Sequence, residues 1–173
     1  QSVMESGAVD FVLRGEGEAS MPLLAETLSA GGPLESIPGL VFRQNAGGLH
    51  INPPTQMQDP QDYPLPAVHL VKQQFYRRKQ GGSLVVVAGR GCPMQCSYCS
   101  VGARSFLEYR KKSVESVISE IENAVDHEDI GFIDFEDENL SLDRRWFIEL
   151  LSAIQNRFGS GRFELRAMNG LYP

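Results

Sequence analysis

Long apolar runs are missing from this 173-residue sequence: none reaches the roughly 20 residues that a bilayer-crossing helix requires. Cysteine is scarce. There are three residues, and an odd number argues against a closed disulfide framework. Basic charge does not dominate either. Sixteen Lys and Arg stand against 22 Asp and Glu, a net charge of −6, which leaves no broad basic field for nucleic acid. Two short basic runs, Arg77-Arg78-Lys79 and Arg110-Lys111-Lys112, read as solvated surface. Residues 1–10 carry no charged leader followed by an apolar stretch, so no signal peptide is expected. Position 1 is Gln rather than Met, and the sequence is expected to begin inside a longer protein. Thiols without a disulfide framework fit a reducing, cytoplasmic compartment.

Hydrophobic residues still make up 42% of the chain, enough for a packed core. Residues 9–13 read as a short buried strand, with Gly15-Glu16-Gly17-Glu18 turning the chain after it. Ser20 is placed to cap a helix that takes Pro22 in its first turn and shows Leu23, Leu24 and Leu28 on its apolar face. Gly31-Gly32 ends that helix. Segments 39–43 and 49–52 pattern as two strands joined by Asn45-Ala46-Gly47-Gly48. Half of the ten prolines then fall inside 53–66. Proline fixes φ and lacks an N–H, so this stretch is a linker. The expected domains are 1–52 and 67–173, with the linker 53–66 between them.

Beyond the linker the pattern is regular. The apolar run 84–88 suits a strand buried on both faces of a parallel sheet. Ser113 can cap a helix whose stripe is Val114, Val117, Ile118, Ile121 and Val125. A second strand is expected at 131–135. Asp143 then caps a helix with Trp146, Phe147, Leu150, Leu151, Ile154 and Phe158 inward, and a third strand follows at 163–168. Strand, helix, strand, helix, strand with short loops means right-handed crossovers and an α/β fold with a parallel sheet. Three strands cannot close a barrel. The chain reads as the first part of a larger β/α barrel, with an unpaired edge on its third strand that favours a non-native oligomer or a loosely ordered C-terminal strand.

All three cysteines lie on the loop after the first strand of this series, Arg90-Gly91-Cys92-Pro93-Met94-Gln95-Cys96-Ser97-Tyr98-Cys99, spaced C-x3-C-x2-C. Soft thiolates at such spacing suit an iron–sulfur cluster, zinc or copper(I). Four-iron clusters ordinarily take four cysteines, so three leave one metal position open for a substrate or cofactor. The rival readings are a zinc-binding module completed by His50, His69 or His127 and a non-catalytic iron–sulfur module. The first has no histidine at a finger or knuckle spacing, and the second lacks a fourth ligand.

C-x3-C-x-aromatic-C after a β/α strand, framed by Arg90-Gly91 and Pro93, resembles the signature of the radical S-adenosylmethionine (SAM) superfamily. The resemblance implies that Cys92, Cys96 and Cys99 hold a [4Fe–4S] cluster whose remaining iron is chelated by SAM, and that Tyr98 lies near the adenine. Family members carry a glycine-glycine-glutamate motif after the second strand that binds the SAM amino group. Here Asp137-Glu138 stands in its place, as in the subgroup that couples the barrel to a cobalamin-binding domain, and either residue could take that role. Residues 9–18, the hairpin and the linker resemble the end of the Rossmann-like cobalamin-binding domain of that subgroup. Its Asp-x-His-x-x-Gly ligating stretch is absent, so cobalamin is an expectation for the full-length protein only.

The resemblance implies reductive cleavage of SAM to a 5′-deoxyadenosyl radical, an external electron donor such as flavodoxin or ferredoxin, and a small-molecule substrate. The outcome is methyl transfer, cyclisation or other C–H chemistry. Arg90 and Arg166 are further candidates around the site. Arg166, inside a strand, must face a cavity, a partner or a fragment edge; it could face SAM or substrate, or pair with an acid such as Glu164 or Glu136. The cluster loop is expected to be empty or disordered unless the protein is handled without oxygen.

Overall fold

The computed structural model describes residues 2–45, 47–54, 59–99 and 108–171. Ala46 of the expected turn, positions 55–58 of the expected linker and Tyr172 lie outside the described residues. The chain divides into two compact units, Gln1–Gln58 and Asp59–Pro173.

The first unit contains α1 (Ser2–Glu5), β1 (Phe11–Leu13), α2 (Gly17–Ala30), β2 (Leu40–Arg43) and β3 (Leu49–Ile51). Its sheet runs β1-β2-β3 with both pairings antiparallel. Leu24, Ile37, Leu40 and Phe42 form its core, with Phe11, Leu13 and Leu34 packed against them. Several expectations change here. The strand at 9–13 shortens to three half-buried residues. Ser20 is not the cap of α2: the helix begins at Gly17 behind Glu16, and Ser20 is buried within it. Glu18 puts negative charge in the first turn, where the helix dipole favours it. Pro22 therefore lies inside the helix and forfeits one backbone bond. Of the three leucines, only Leu24 is buried; Leu23 and Leu28 face out because the inward stripe runs through Ser20 and Leu24.

The second unit holds β4 (Gly82–Val86), β5 (Gly89–Arg90), β6 (Arg110–Lys111), α3 (Val114–His127), β7 (Ile130–Phe135), α4 (Arg144–Phe158) and β8 (Glu164–Ala167). The main sheet has the order β4-β7-β8, and both pairings are parallel. The fold is thus mixed α/β with a parallel sheet. Ser113 accepts a hydrogen bond from the Ser116 N–H, and Asp143 one from the Trp146 N–H, so each helix starts on a side-chain cap. Val117, Ile121 and Ala124 of α3 and Trp146, Leu150 and Ile154 of α4 pack on Leu84, Val86, Ile133 and Phe135. Leu151 lies at the exposed edge of α4 rather than inside.

The second face of β4 is covered only in part: Ser83 is half-buried and donates to the Tyr76 carbonyl. Val85 is 54% exposed, so the expectation of a strand buried on both sides fails among the described residues. Glycine is required where the strands begin. A Cβ on Gly131 would fall 2.0 Å from the Gln80 carbonyl oxygen, so a side chain there would push β7 away from the chain entering β4. β8 forms as a regular strand with β7 on one side and, among the described residues, no strand on the other. No helix among them is long and apolar enough to cross a membrane.

The second basic run is not solvated surface. Lys112 is buried and its Nζ lies 2.6 Å from Glu120, itself buried on the inner side of α3. The Lys112 carbonyl accepts the Trp146 Nε1–H at 3.0 Å. Lys111 pairs with Asp143. Removing one partner of the buried pair strands the other charge. Glu120→Ala is expected to lower unfolding free energy by about 3–5 kcal/mol, read from the urea midpoint at constant m. The double replacement Lys112→Met with Glu120→Leu should recover most of that loss.

Candidate functional site

β4, β7 and β8 all deliver their carboxyl ends to one edge, where ligands sit in parallel α/β sheets. The ends are laced together. The Glu136 N–H donates to the Val86 carbonyl, and the Met168 N–H donates to the Phe135 carbonyl. Asn169 Nδ2 donates to the carbonyls of Glu136 (3.1 Å) and Asp137 (3.3 Å).

The cysteine loop rises from this edge. β5 and β6 pair antiparallel, Gly89 with Lys111 and Arg90 with Arg110, and so bring its two ends together. The Lys112 N–H to Ala88 carbonyl bond, 2.7 Å, extends that closure. Gly91 has φ +79°, a left-handed conformation that glycine adopts without strain, and it turns the chain into Cys92. The Cys99 N–H donates to the Cys96 carbonyl at 3.0 Å, folding the last two cysteines over one turn.

Cys92, Cys96 and Cys99 are of intermediate burial and not joined in a disulfide, and all three line one cavity of about 600 Å³. Met94, Tyr98, Glu136, Glu138, Asn139, Asn169, Gly170 and Leu171 complete the wall. Tyr98 is 91% exposed, with its ring free to cover a ligand. Among the described residues no three His, Cys, Asp or Glu converge closely enough to hold a single metal ion. A cubane cluster makes a different demand, because each thiolate binds its own iron. Three thiols lining a shared cavity without a close single-ion grouping suit it better than a tetrahedral zinc centre. The His69 and His127 rings lie 5.9 Å apart with a 38° tilt, and neither lines the cavity.

The two neighbouring acids are separated by their environments. The Asp137 side chain is buried and turns back to the sheet, accepting the backbone N–H groups of Gly89 at 2.5 Å and Ala88 at 3.1 Å. Burial raises its pKa to about 6, against the lowering effect of those amide bonds. Glu138 is exposed and faces the thiols. Arg166 meets neither Glu164 nor Glu136. It pairs with Asp134, its register neighbour on β7, with Nη2 2.5 Å from Oδ1. Sequence reasoning did not single out Asp134, a charged residue inside an apolar strand and the one available signal. The Arg90 guanidinium stacks on the Tyr63 ring at 4.4 Å.

Fold and site together define a class: a parallel α/β sheet carrying a three-cysteine loop and an acidic wall at its carboxyl edge. No protein-family model matches the chain. Its sequence is 32% identical over 152 residues to an uncharacterised methyltransferase of Pyrococcus horikoshii, covering 86% of this chain and 32% of that protein. It is 40% identical over 120 residues to the hopanoid C-3 methylase of Methylococcus capsulatus, covering 66% and 22%. It is 30% identical over 149 residues to the anaerobic magnesium-protoporphyrin IX monomethyl ester cyclase of Synechocystis, covering 84% and 29%. The fold matches the radical SAM methyltransferase TsrM of Kitasatospora setae, solved with cobalamin and a [4Fe–4S] cluster, at TM-score 0.69 and 22% identity over 95% of this chain and 34% of that one. It also matches the cobalamin-dependent SAM radical enzyme OxsB at TM-score 0.67 and 20% identity, over 90% and 22%. In sequence the chain therefore resembles methyltransferases and a cyclase, and its fold is shared with cobalamin-dependent radical SAM enzymes. It spans about a third or less of the length of the curated relatives it matches.

Asp137 gives a pH signature. The cluster-free folded chain holds the Asp137 proton more tightly than the unfolded chain does. The resulting stability is complete below about pH 4 and is lost as pH rises through about 6. Relative to Asp137→Asn, the wild type should lose on the order of 3 kcal/mol across that window, measured by urea unfolding at stepped pH. Parallel pH profiles for the two proteins would contradict the assignment.

Proposed function

We propose that this chain is the cluster-bearing part of a radical SAM enzyme, in which Cys92, Cys96 and Cys99 hold a [4Fe–4S] cluster that binds SAM at its open iron. The single observation that carries the reading is the convergence of three cysteines and Glu138 on one cavity at the carboxyl edge of a parallel sheet. When bound, the cluster and SAM supply one-electron cleavage of the sulfonium and a 5′-deoxyadenosyl radical, for methyl transfer, cyclisation or other C–H chemistry.

The chain's own residues divide the remaining work. The thiolates supply three ligands and leave a fourth position open. Glu138 presents a carboxylate to the positive amino group of SAM. Tyr98 would lie near the adenine. Asp137 belongs to the same segment but is committed to the backbone amides of Ala88 and Gly89, so it sets where the cysteine loop begins. Arg90 stands at the base of that loop. Arg166, held by Asp134, lies one residue before the end of its strand.

The residues from 67 onward are read as the first part of a β/α barrel. Residues 1–52 are read as the end of a cobalamin-binding-type domain joined through the linker 53–66. The likeness to TsrM and OxsB supports cobalamin as a cofactor of the full-length protein; no residue of this chain is assigned to it. The substrate is a small molecule, and a flavodoxin- or ferredoxin-type donor supplies the electron. The edge of β8 is the surface through which the isolated chain would self-associate.

Anaerobic reconstitution tests the reading. Wild type should take up about four irons per chain, with matching sulfide and broad absorbance in the visible. Cys92→Ala, Cys96→Ala and Cys99→Ala should each lose most of it. Glu138→Gln should keep the cluster and bind SAM on the order of tenfold more weakly, by titration of the reduced cluster's paramagnetic resonance signal. Retention of a full cluster by all three alanine variants would sink the assignment.

A further inference from the structure

Residues 59–63 lie outside the sheet, yet three of their side chains bear on the hairpin that carries the cysteines or on the turn itself. Asp59 accepts the Gln61 N–H at 2.9 Å and so shapes a single 3-10 turn, Pro60–Asp62, in which Pro60 is buried. That turn aims two side chains at the two ends of the cysteine loop. Gln61 Oε1 accepts the Ser113 N–H at 3.0 Å, just past β6. The Tyr63 ring lies under the Arg90 guanidinium at 4.4 Å, and its hydroxyl oxygen accepts from Arg110 Nη1 at 3.1 Å. Arg90 and Arg110 are register partners across β5 and β6.

We propose that Tyr63 is a positioning residue for the cysteine loop, bridging Arg90 at its start and Arg110 at its end. The chemistry is specific. Two guanidinium groups placed side by side repel one another. Tyrosine offers a π face to one and an oxygen acceptor to the other, which neither phenylalanine nor leucine does. Tyr63 is not part of the hydrophobic core of the unit, so its action is local to the hairpin base. Holding that base shut lowers the entropy that the loop loses when its thiols gather on one cluster. The inference rests on the cluster assignment proposed above.

Hydrogen exchange and cluster loading, measured together on wild type, Tyr63→Phe and Tyr63→Leu, test it. In the cluster-free chain, Tyr63→Leu should speed exchange at the hairpin amides of Arg90, Arg110 and Lys112 by on the order of tenfold, while Ile133 in β7 stays unchanged. Tyr63→Phe, which keeps the ring and loses the acceptor, should fall between. After reconstitution, iron per chain should drop and the reduced cluster's resonance should broaden in the same order. Unchanged exchange in Tyr63→Leu overturns the proposal. So does faster exchange with undiminished iron and an identical spectrum, since the hairpin would then be held without bearing on the cluster. A wild-type chain that takes up no cluster is a separate outcome. It overturns the cluster assignment itself, and the role given to Tyr63 falls with it.

Discussion

The site depends on one carboxylate and two amides. Asp137, just past the end of β7, accepts the N–H groups of Ala88 and Gly89, just past the end of β4. These amides lie at the point where the chain leaves the parallel sheet to begin the cysteine loop, and the Asp137 carboxylate is their acceptor there. A buried amide without an acceptor is costly, and a carboxylate taking two of them fixes both strand ends at once. Asn169 closes the third strand onto the same segment through the Glu136 and Asp137 carbonyls. Three strand ends thus become one hydrogen-bonded rim, and the loop starts from that rim.

The same constraint separates two neighbouring acids. Alternation along an extended segment turns Asp137 inward to the amides and leaves Glu138 outward in the cavity with the thiols. One acid is buried, with its pKa raised to about 6, and the other remains exposed. Spacing alone could not choose between them for contact with a cationic group, because both occupy the position that the family's motif would fill. The backbone geometry makes the division: a carboxylate spent on two amides has little left for a ligand.

Much of the second unit was legible in the sequence because its signals are local. Ser113 and Asp143 act as caps where a short polar side chain precedes an apolar stripe, and the stripes of α3 and α4 pack inward at nearly every position expected. The cysteine spacing was legible for the same reason. What the sequence hid is non-local. Lys112 and Glu120 look like surface charges until the chain folds them together beneath Trp146. The two-residue strands β5 and β6 are too short to leave a pattern, and Tyr63 meets its arginines across 27 and 47 positions. In the first unit, Ser20 looked like a cap because Pro22 follows it, but the helix starts earlier, at Gly17. Val85 looked buried by composition, yet among the described residues it is exposed at the edge of a face on which only its neighbours Phe132 and Asp134 are buried.

The central claim is an open metal position facing Glu138, and Mössbauer spectroscopy of the chain reconstituted with isotopically enriched iron addresses it most directly. Adding SAM to the cluster should shift a single iron to the parameters of a site with added nitrogen and oxygen ligands while the thiolate-bound irons stay as they were. A spectrum in which all irons remain equivalent, with SAM present in excess, would contradict the account.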